Sequence, residues 1–178
     1  MPKSWRFPAF DEAVVRQISS ELKLPVLVAQ VLAARGFQNG AEARDFLTAR
    51  IMDLHDPNLL PGVSEAADLI FKAAADGRRI TIYGDYDVDG VTSTSILWHC
   101  LQLLEANVDY YIPSRLDEGY GLNCDAIRQL HTDDPNRVVV SVDCGITSVK
   151  EAELAKELGL DLIITDHHQM ADSLPDAK

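Results

Sequence analysis

The spacing of apolar and polar residues changes near residue 79 of this 178-residue chain. Before that point, apolar residues recur at helical spacing, which predicts helices over residues 11–24, 25–35, 41–48 and 63–76. After it, short apolar or alternating runs predict strands over residues 79–84, 108–112, 137–142 and 161–165. Helical spacing returns between those runs and predicts helices over residues 90–106, 122–131 and 147–158.

The alternation of strands and helices predicts the fold class of the second part of the chain. Strands separated by helices need crossover connections, so they form an α/β fold with a mainly parallel sheet and helices on both faces. The first part predicts a small helical cap. We therefore expect two domains, a helical N-terminal cap with its linker at residues 1–62 and an α/β domain at residues 63–178.

Composition and charge narrow the classes of protein to consider. Hydrophobic residues make up 47% and charged residues 25% of the chain, as in ordinary globular proteins. No apolar run is long enough to span a bilayer, and no signal peptide is evident, so we expect a cytoplasmic protein that does not bind membranes. The three cysteines show no paired spacing, which argues against a disulfide framework or a zinc ribbon.

The net charge of −12 comes entirely from the second part of the chain. Residues 1–80 contain ten basic and ten acidic residues, whereas residues 81–178 contain six basic and eighteen acidic residues. A nucleic-acid-binding surface normally shows a basic footprint. The acidity therefore argues against extended binding of a nucleic-acid backbone by these residues alone, and divalent cations would offset part of it.

The segment GDYDVDG at residues 84–90 raises the question of metal binding. Aspartates at alternate positions followed by glycine resemble the start of an EF-hand loop, but that loop requires a glutamate at its twelfth position and a preceding helix. Here the twelfth position is Ile96, and the preceding residues form a predicted strand. The sequence therefore argues against a calcium sensor.

Carboxylates and imidazoles follow three of the predicted strands. Ligands of open α/β sheets bind beyond the carboxyl ends of the strands. Oxygen ligands mixed with histidine suit Mn²⁺ or Mg²⁺ better than Ca²⁺, and two cations would relieve the repulsion between so many carboxylates. The candidate ligands at these strand ends are Asp85, Asp87 and Asp89, then Asp143, and then the Asp166-His167-His168 tripeptide.

The same motifs identify a family resemblance that runs through most of the chain. The sequence resembles the DHH phosphoesterases, and within them the bacterial single-strand-specific exonucleases. The segments that carry the resemblance are DLHDPNLLPG, IYGDYDVDGVTSTSIL, YIPSRLDEGYGL, VVVSVDCGITS and IITDHHQ. The resemblance implies a phosphodiesterase with two Mn²⁺ or Mg²⁺ ions that digests single-stranded DNA from its 5′ end and releases nucleoside monophosphates.

The resemblance also implies a biological setting for the protein and a length for the complete enzyme. The setting is DNA repair and recombination, with single-stranded DNA and other repair proteins as partners. Family members continue beyond the DHH tripeptide with another metal-binding aspartate and a second domain that grips the substrate. We therefore expect residues 1–178 to be the N-terminal portion of a longer enzyme, with the DHH phosphoesterase domain cut short.

Roles for the individual residues follow from the matched motifs. Asp143, which arrives from a different strand than the aspartate cluster, is expected to bridge the two ions. By resemblance, Asp85 and Asp87 serve one ion, and Asp89 and His167 serve the other. His168 is expected to hydrogen-bond the phosphate, and Asp166 to orient a histidine. The residues expected to carry catalysis are thus Asp87, Asp89, Asp143, His167 and His168.

Two further residues lie in a loop after the second predicted strand. Arg115 and Tyr120 are candidate substrate contacts, the first for a phosphate and the second for a base, although an ordinary loop is the alternative.

Two other functions remain open at this stage. One is a phosphoesterase of the same chemistry that acts on pyrophosphate, polyphosphate or dinucleotides. The other is a non-catalytic binding module that keeps the fold.

Overall fold

The structure is a computed structural model that describes residues 6, 8–114, 116 and 119–178. Within it, two compact units divide between Asp56 and Pro57. This division lies six residues before the predicted boundary at residue 62, which stays a prediction. No helix in the described part of the chain combines the length and the apolar character needed to cross a bilayer.

The first unit is helical. Its helices are α1 (Glu12–Leu22), α2 (Val26–Ala34) and α3 (Gly40–Leu47), followed by a short 3₁₀ helix at Ile51–Asp53. Side chains cap two of them, because the Asp11 carboxylate accepts from the Ala13 N–H at 2.7 Å and the Asn39 amide oxygen accepts from the Glu42 N–H at 3.0 Å. The helices enclose a small apolar core of Val15, Ile18, Ala29, Leu32 and Ala43.

The second unit is a four-stranded parallel sheet with helices between its strands. After a short 3₁₀ helix at Pro57–Leu59, its elements in chain order are α4 (Val63–Ala75), β1 (Ile80–Tyr83), α5 (Val88–Leu103), β2 (Val108–Tyr111), α6 (Cys124–Asp133), β3 (Val138–Val142), α7 (Val149–Leu158) and β4 (Asp161–Thr165). The strand order is β2-β1-β3-β4, and every neighbouring pair is parallel. The predicted fold class is confirmed, with element ends displaced by up to three residues.

Side chains from alternate strand positions separate into two cores, one on each face of the sheet. One core joins Val139 of β3 and Leu162 of β4 to apolar residues of α6 and α7. The other joins Ile80, Ile82, Val138, Val140, Val142 and Ile163 to residues of α4 and α5. Both faces are therefore covered, which explains why β1 and β3 consist of buried residues throughout.

The strand order reverses between β1 and β3. The chain passes from β1 outward to β2 and then returns to the other side of β1 to form β3. Ligands of doubly wound sheets bind at such a switch point, beyond the carboxyl ends of the two strands. Asp85 follows β1 and Asp143 follows β3, so the topology brings them to the same edge of the sheet.

Candidate metal centre

Asp85 is held where the end of β1 meets the start of α5. Its side chain is buried, and neither carboxylate oxygen has a hydrogen-bond partner among the described residues. A Cβ added to Gly90 would lie 2.6 Å from the Cβ and the backbone oxygen of Asp85. Glycine at position 90 therefore allows the first turn of α5 to pack directly against the Asp85 backbone.

The start of α5 differs from the prediction. The helix begins at Val88 rather than at residue 90, because the Asp87 Oδ1 accepts from the Gly90 N–H at 3.0 Å and caps the helix. Asp89 consequently lies in the first turn of α5 and is exposed to solvent. The three aspartates therefore occupy three environments, namely a buried loop, a helix cap and a helix surface.

Asp143 follows β3 in a backbone conformation that non-glycine residues seldom adopt. Its φ is 62°, and its N–H donates to the Thr165 carbonyl at 3.0 Å. The carboxylate is buried, and its Oδ1 lies 2.9 Å from the His167 Nε2, whereas its Oδ2 has no hydrogen-bond partner in the described ranges. Burial, and then the charge of Asp87, raise the pKa of Asp143, while the two histidines oppose that rise.

Asp166 connects the loop after β4 to the loop after β3. Its Oδ2 accepts from the Ile146 N–H at 2.9 Å, and its Oδ1 accepts from the N–H groups of His167 and His168 at 2.7 and 3.1 Å. The same Oδ1 lies 2.7 Å from the His168 Nδ1. Burial alone would raise the pKa of Asp166, but these hydrogen bonds hold the pKa below its ordinary value.

His168 is charged more readily than an ordinary histidine. Its hydrogen bond to Asp166 is the main cause of a raised pKa, and the charges of Asp166, Asp143 and Asp87 add to it. This geometry supports the predicted role of Asp166 in orienting a histidine, which stays a prediction. A protonated His168 would carry a donor at its Nε2, opposite the nitrogen that contacts Asp166.

Asp166→Asn is expected to lower the pKa of His168 from its raised value toward the ordinary 6.5. In the unchanged protein, the pair of protonated His168 and ionised Asp166 stabilises the fold. For His168, this contribution is fully present below pH 6.5 and is lost as the pH rises through its raised pKa. For Asp166, the contribution is present above 3.8 and is lost as the pH falls through its lowered pKa. An NMR titration of the imidazole in metal-free protein measures the shift. An unchanged His168 titration in the variant would contradict the assignment.

The strand ends bring five side chains into two groupings that can hold a metal ion. One contains Asp85, Asp87 and Asp143, and the other contains Asp143, His167 and His168; in each, the ligand atoms lie within 4.8 Å of one another. Asp143 belongs to both. Both carboxylate oxygens of Asp85 and the Oδ2 of Asp143 are buried without a hydrogen-bond partner among the described residues. Together with two imidazoles, which can bind a metal ion when neutral, they form a set of ligands that fits Mn²⁺ or Mg²⁺.

The predicted roles of three candidates are not settled by these groupings. Asp89 belongs to neither grouping found among the described residues, so its role as a ligand stays a prediction. Arg115 lies outside the residues that the structure describes. His168, expected at the phosphate, lies within ligand distance of the second grouping.

Tyr120 reaches the same centre from the loop after β2. Its hydroxyl lies 3.3 Å from the Asp143 carbonyl oxygen and 3.4 Å from the His168 Nδ1. Burial and the nearby carboxylates raise its pKa to about 12, so the phenol stays protonated at neutral pH.

Tyr83 anchors this loop and was not anticipated from the sequence. Its buried hydroxyl donates to the Gly121 carbonyl at 3.1 Å and accepts from the Asn123 Nδ2 at 3.1 Å. A tyrosine at the end of a buried strand was the available signal, because a buried phenol needs a polar partner.

The sheet is open and parallel, and carboxylates and two imidazoles cluster at its switch point. These features define the class of the protein as a metal-binding α/β protein whose site suits two divalent ions. Comparison with known proteins gives the particular family. The family model described as "DHH family, N-terminal domain" matches residues 79–178. The chain therefore belongs to the DHH family.

Individual relatives agree with this assignment. The single-stranded-DNA-specific exonuclease RecJ of Bacillus subtilis is 46% identical over 174 residues, which are 98% of this chain and 22% of the relative. RecJ of Escherichia coli is 35% identical over 157 residues, or 88% of this chain and 26% of the relative. The crystal structure of RecJ in complex with Mn²⁺ from Thermus thermophilus superposes with a TM-score of 0.69 and 30% identity, covering 94% of this chain and 23% of that one. The chain thus spans about a quarter of these relatives.

Proposed function

We propose that this chain supplies the metal centre of a phosphodiesterase that hydrolyses single-stranded DNA with two Mn²⁺ or Mg²⁺ ions. The observation that carries the proposal is the position of Asp143, whose carboxylate belongs to both metal-binding groupings. A carboxylate shared in this way can hold two ions as close together as two-metal hydrolysis requires, about 3.5–4 Å. The RecJ relatives, named for their action on single-stranded DNA, support the choice of substrate.

The chain's own residues divide the work at this centre. Asp143 would contribute its carboxylate to both ions, Asp85 and Asp87 would hold one of them, and Asp89 and His167 would hold the other. When bound, the ions activate water and neutralise the phosphoryl oxygens. Asp87 also caps α5, which fixes its carboxylate at the end of a rigid helix.

The loop after β4 carries the residues that position protons and charge beside the phosphate. The hydrogen bond to Asp166 raises the pKa of His168, and in its protonated form the imidazole would donate a hydrogen bond to a phosphate oxygen as negative charge develops there. Asp166 fixes the orientation of that imidazole and ties it to the loop that carries Asp143.

The direction of digestion and the biological setting extend this proposal. We assign cleavage from the 5′ end with release of nucleoside monophosphates, in DNA repair and recombination, with other repair proteins as partners and the cytoplasm as the compartment. Residues 81–178 contain eighteen acidic and six basic residues. This uneven charge supports the view that they bind the metal ions and do not bind the DNA backbone. Grip on the DNA backbone must therefore come from other residues.

In a protein that contains this chain and has the full length of its RecJ relatives, single-stranded oligonucleotides labelled at the 5′ or the 3′ end are expected to lose the 5′ label first, as a mononucleotide. The reaction requires Mn²⁺ or Mg²⁺, stops when EDTA removes the ions, and leaves duplex DNA intact, because the proposed site acts on unpaired strands. Gel analysis of timed samples measures the order of release. Earlier loss of the 3′ label would contradict the polarity. Faster hydrolysis of pyrophosphate would favour a small-molecule phosphoesterase, and metal binding without turnover of either substrate would favour a non-catalytic module.

A further inference from the structure

Thr94 carries a buried hydroxyl group that has no role in the proposed function. The residue lies in the second turn of α5 and is 5% exposed, and its Oγ1 has no hydrogen-bond partner among the described residues. A hydroxyl that is buried without a partner opposes folding. Such a group in a folded protein therefore needs an explanation, and a role in a functional site is one of them.

The neighbouring hydroxyl groups of α5 are oriented differently. The side chains of Thr92 and Ser93 donate to the carbonyl groups four residues back along the helix, at 2.7 and 2.6 Å. A carbonyl one turn back is the partner that a serine or threonine inside a helix ordinarily uses. Thr94 does not make the equivalent bond, so its hydroxyl is not satisfied by its own helix.

The Thr94 hydroxyl lies against the segment that carries Asp85. A Cβ added to Gly84 would lie 2.2 Å from the Thr94 Oγ1. One turn earlier on the same face of α5, a Cβ added to Gly90 would lie 2.6 Å from the Cβ and the backbone oxygen of Asp85. Thr94 and Gly90 therefore pack next to each other against residues 84 and 85, where β1 ends.

The buried atoms without partners are complementary at this point. Within the described ranges, these side-chain atoms are the Thr94 Oγ1 and carboxylate oxygens of Asp85, Asp109 and Asp143. Ionised carboxylates only accept hydrogen bonds, whereas a hydroxyl can also donate one. Thr94 thus supplies a donor beside the segment whose aspartate, Asp85, has two acceptors.

We propose that Thr94 is a positioning residue for Asp85, and that its hydroxyl donates a hydrogen bond to this carboxylate when a metal ion is bound. The inference rests on the metal centre of the proposed function and adds a residue that does not itself contact the ions. Carboxylates that bind metal ions are themselves hydrogen-bonded, and these bonds fix their orientation. Asp87 caps α5, so the same helix would orient two ligands of one ion.

Thr94→Val is expected to lower the affinity of the chain for Mn²⁺ by about 10- to 100-fold, the usual effect of losing a hydrogen-bond partner of a metal ligand. Valine has nearly the shape of threonine but lacks the hydroxyl. Because that hydroxyl is buried without a partner, its removal should leave the melting temperature of the metal-free chain unchanged or raise it. Calorimetric titration measures the affinity, and thermal unfolding without metal measures the stability.

Thr94→Ser separates the hydroxyl from the packing of the side chain. Serine keeps the donor and is expected to restore most of the Mn²⁺ affinity. It lacks the buried methyl group, so the metal-free chain should melt at a lower temperature than the unchanged protein. Affinity and stability are therefore expected to change in opposite directions between the serine and valine variants, which a purely structural role would not produce.

A second substitution tests whether the effect passes through Asp85. Asp85→Asn leaves one oxygen for the ion but puts a donor in place of the second acceptor, so adding Thr94→Val should cause little further loss of affinity. Thr92→Val is the matched control on the same helix. Thr92 is exposed and its hydroxyl bonds to the helix backbone, so the Mn²⁺ affinity should be unchanged.

Four results would overturn the proposal. Unchanged affinity in Thr94→Val would show that the hydroxyl does not orient a ligand, and the proposed function would stand. A loss that Thr94→Ser does not restore would assign the residue to packing alone. An equal loss in the Asp85→Asn background would separate Thr94 from Asp85. Absence of Mn²⁺ binding by the unchanged chain would contradict this proposal and the proposed function together.

Discussion

Asp143→Asn is expected to lower the affinity of the chain for Mn²⁺ by more than about 100-fold, since even partners outside the ligand shell contribute 10- to 100-fold. The substitution removes one negative charge from a side chain that belongs to both metal-binding groupings. Asparagine has the same shape and tolerates the left-handed backbone that Asp143 adopts, with φ at 62°. The loss should therefore report on the charge and not on a rearranged loop.

Asp172→Asn is the matched control for this experiment. Asp172 is exposed and belongs to neither grouping among the described residues, so its loss of charge should leave the affinity nearly unchanged. Calorimetric titration of both variants gives the affinities, and circular dichroism checks the fold. Equal affinities for the two variants would remove Asp143 from the centre.

Gly90→Ala is expected to destabilise the chain by about 1–3 kcal/mol, the usual cost of overpacking, and to weaken Mn²⁺ binding. Residue 90 lies within α5, where alanine is ordinarily favoured over glycine by about 1 kcal/mol. The expected sign is reversed because the new Cβ would lie 2.6 Å from backbone and Cβ atoms of Asp85, which cannot swing aside. Relief requires α5 to move away from β1 and to carry Asp87 with it.

Ser95→Ala provides the comparison on the same helix. Ser95 is exposed in α5, so alanine there should be neutral or slightly stabilising. Thermal unfolding and Mn²⁺ titration of both variants separate helix propensity from packing against Asp85. A Gly90→Ala variant as stable as the Ser95→Ala variant would show that the close approach is not required.

The spacing of apolar residues predicted the strands and helices because an element buried on both faces and an element buried on one side have different apolar patterns. β3 is covered on both faces, and Val138, Val139 and Val140 in it form a continuous apolar run, while the helices bury one side only. The order β2-β1-β3-β4 was not predicted, since right-handed crossovers permit several orders of four parallel strands. The order depends on which faces the helices cover, and that is a tertiary property.

The sequence predicted those site residues whose positions follow directly from the ends of the strands. Asp85, Asp87, Asp143 and His167 were expected at one edge of the sheet, and the structure brings them together. The start of α5 was placed too late because the pattern of apolar residues does not record that the Asp87 side chain caps the helix. The contact between Asp166 and the Ile146 N–H joins segments twenty residues apart, which local sequence cannot specify.

The orphaned oxygens of Asp85 and Asp143 also have a thermodynamic consequence for the whole second unit. Buried carboxylates without partners oppose folding, and an ion that binds only the folded chain removes that opposition by mass action. At a free ion concentration 100 times its dissociation constant, this linkage adds about 2.7 kcal/mol to the free energy of unfolding. The supply of divalent ions would then set the population of folded protein as well as its activity.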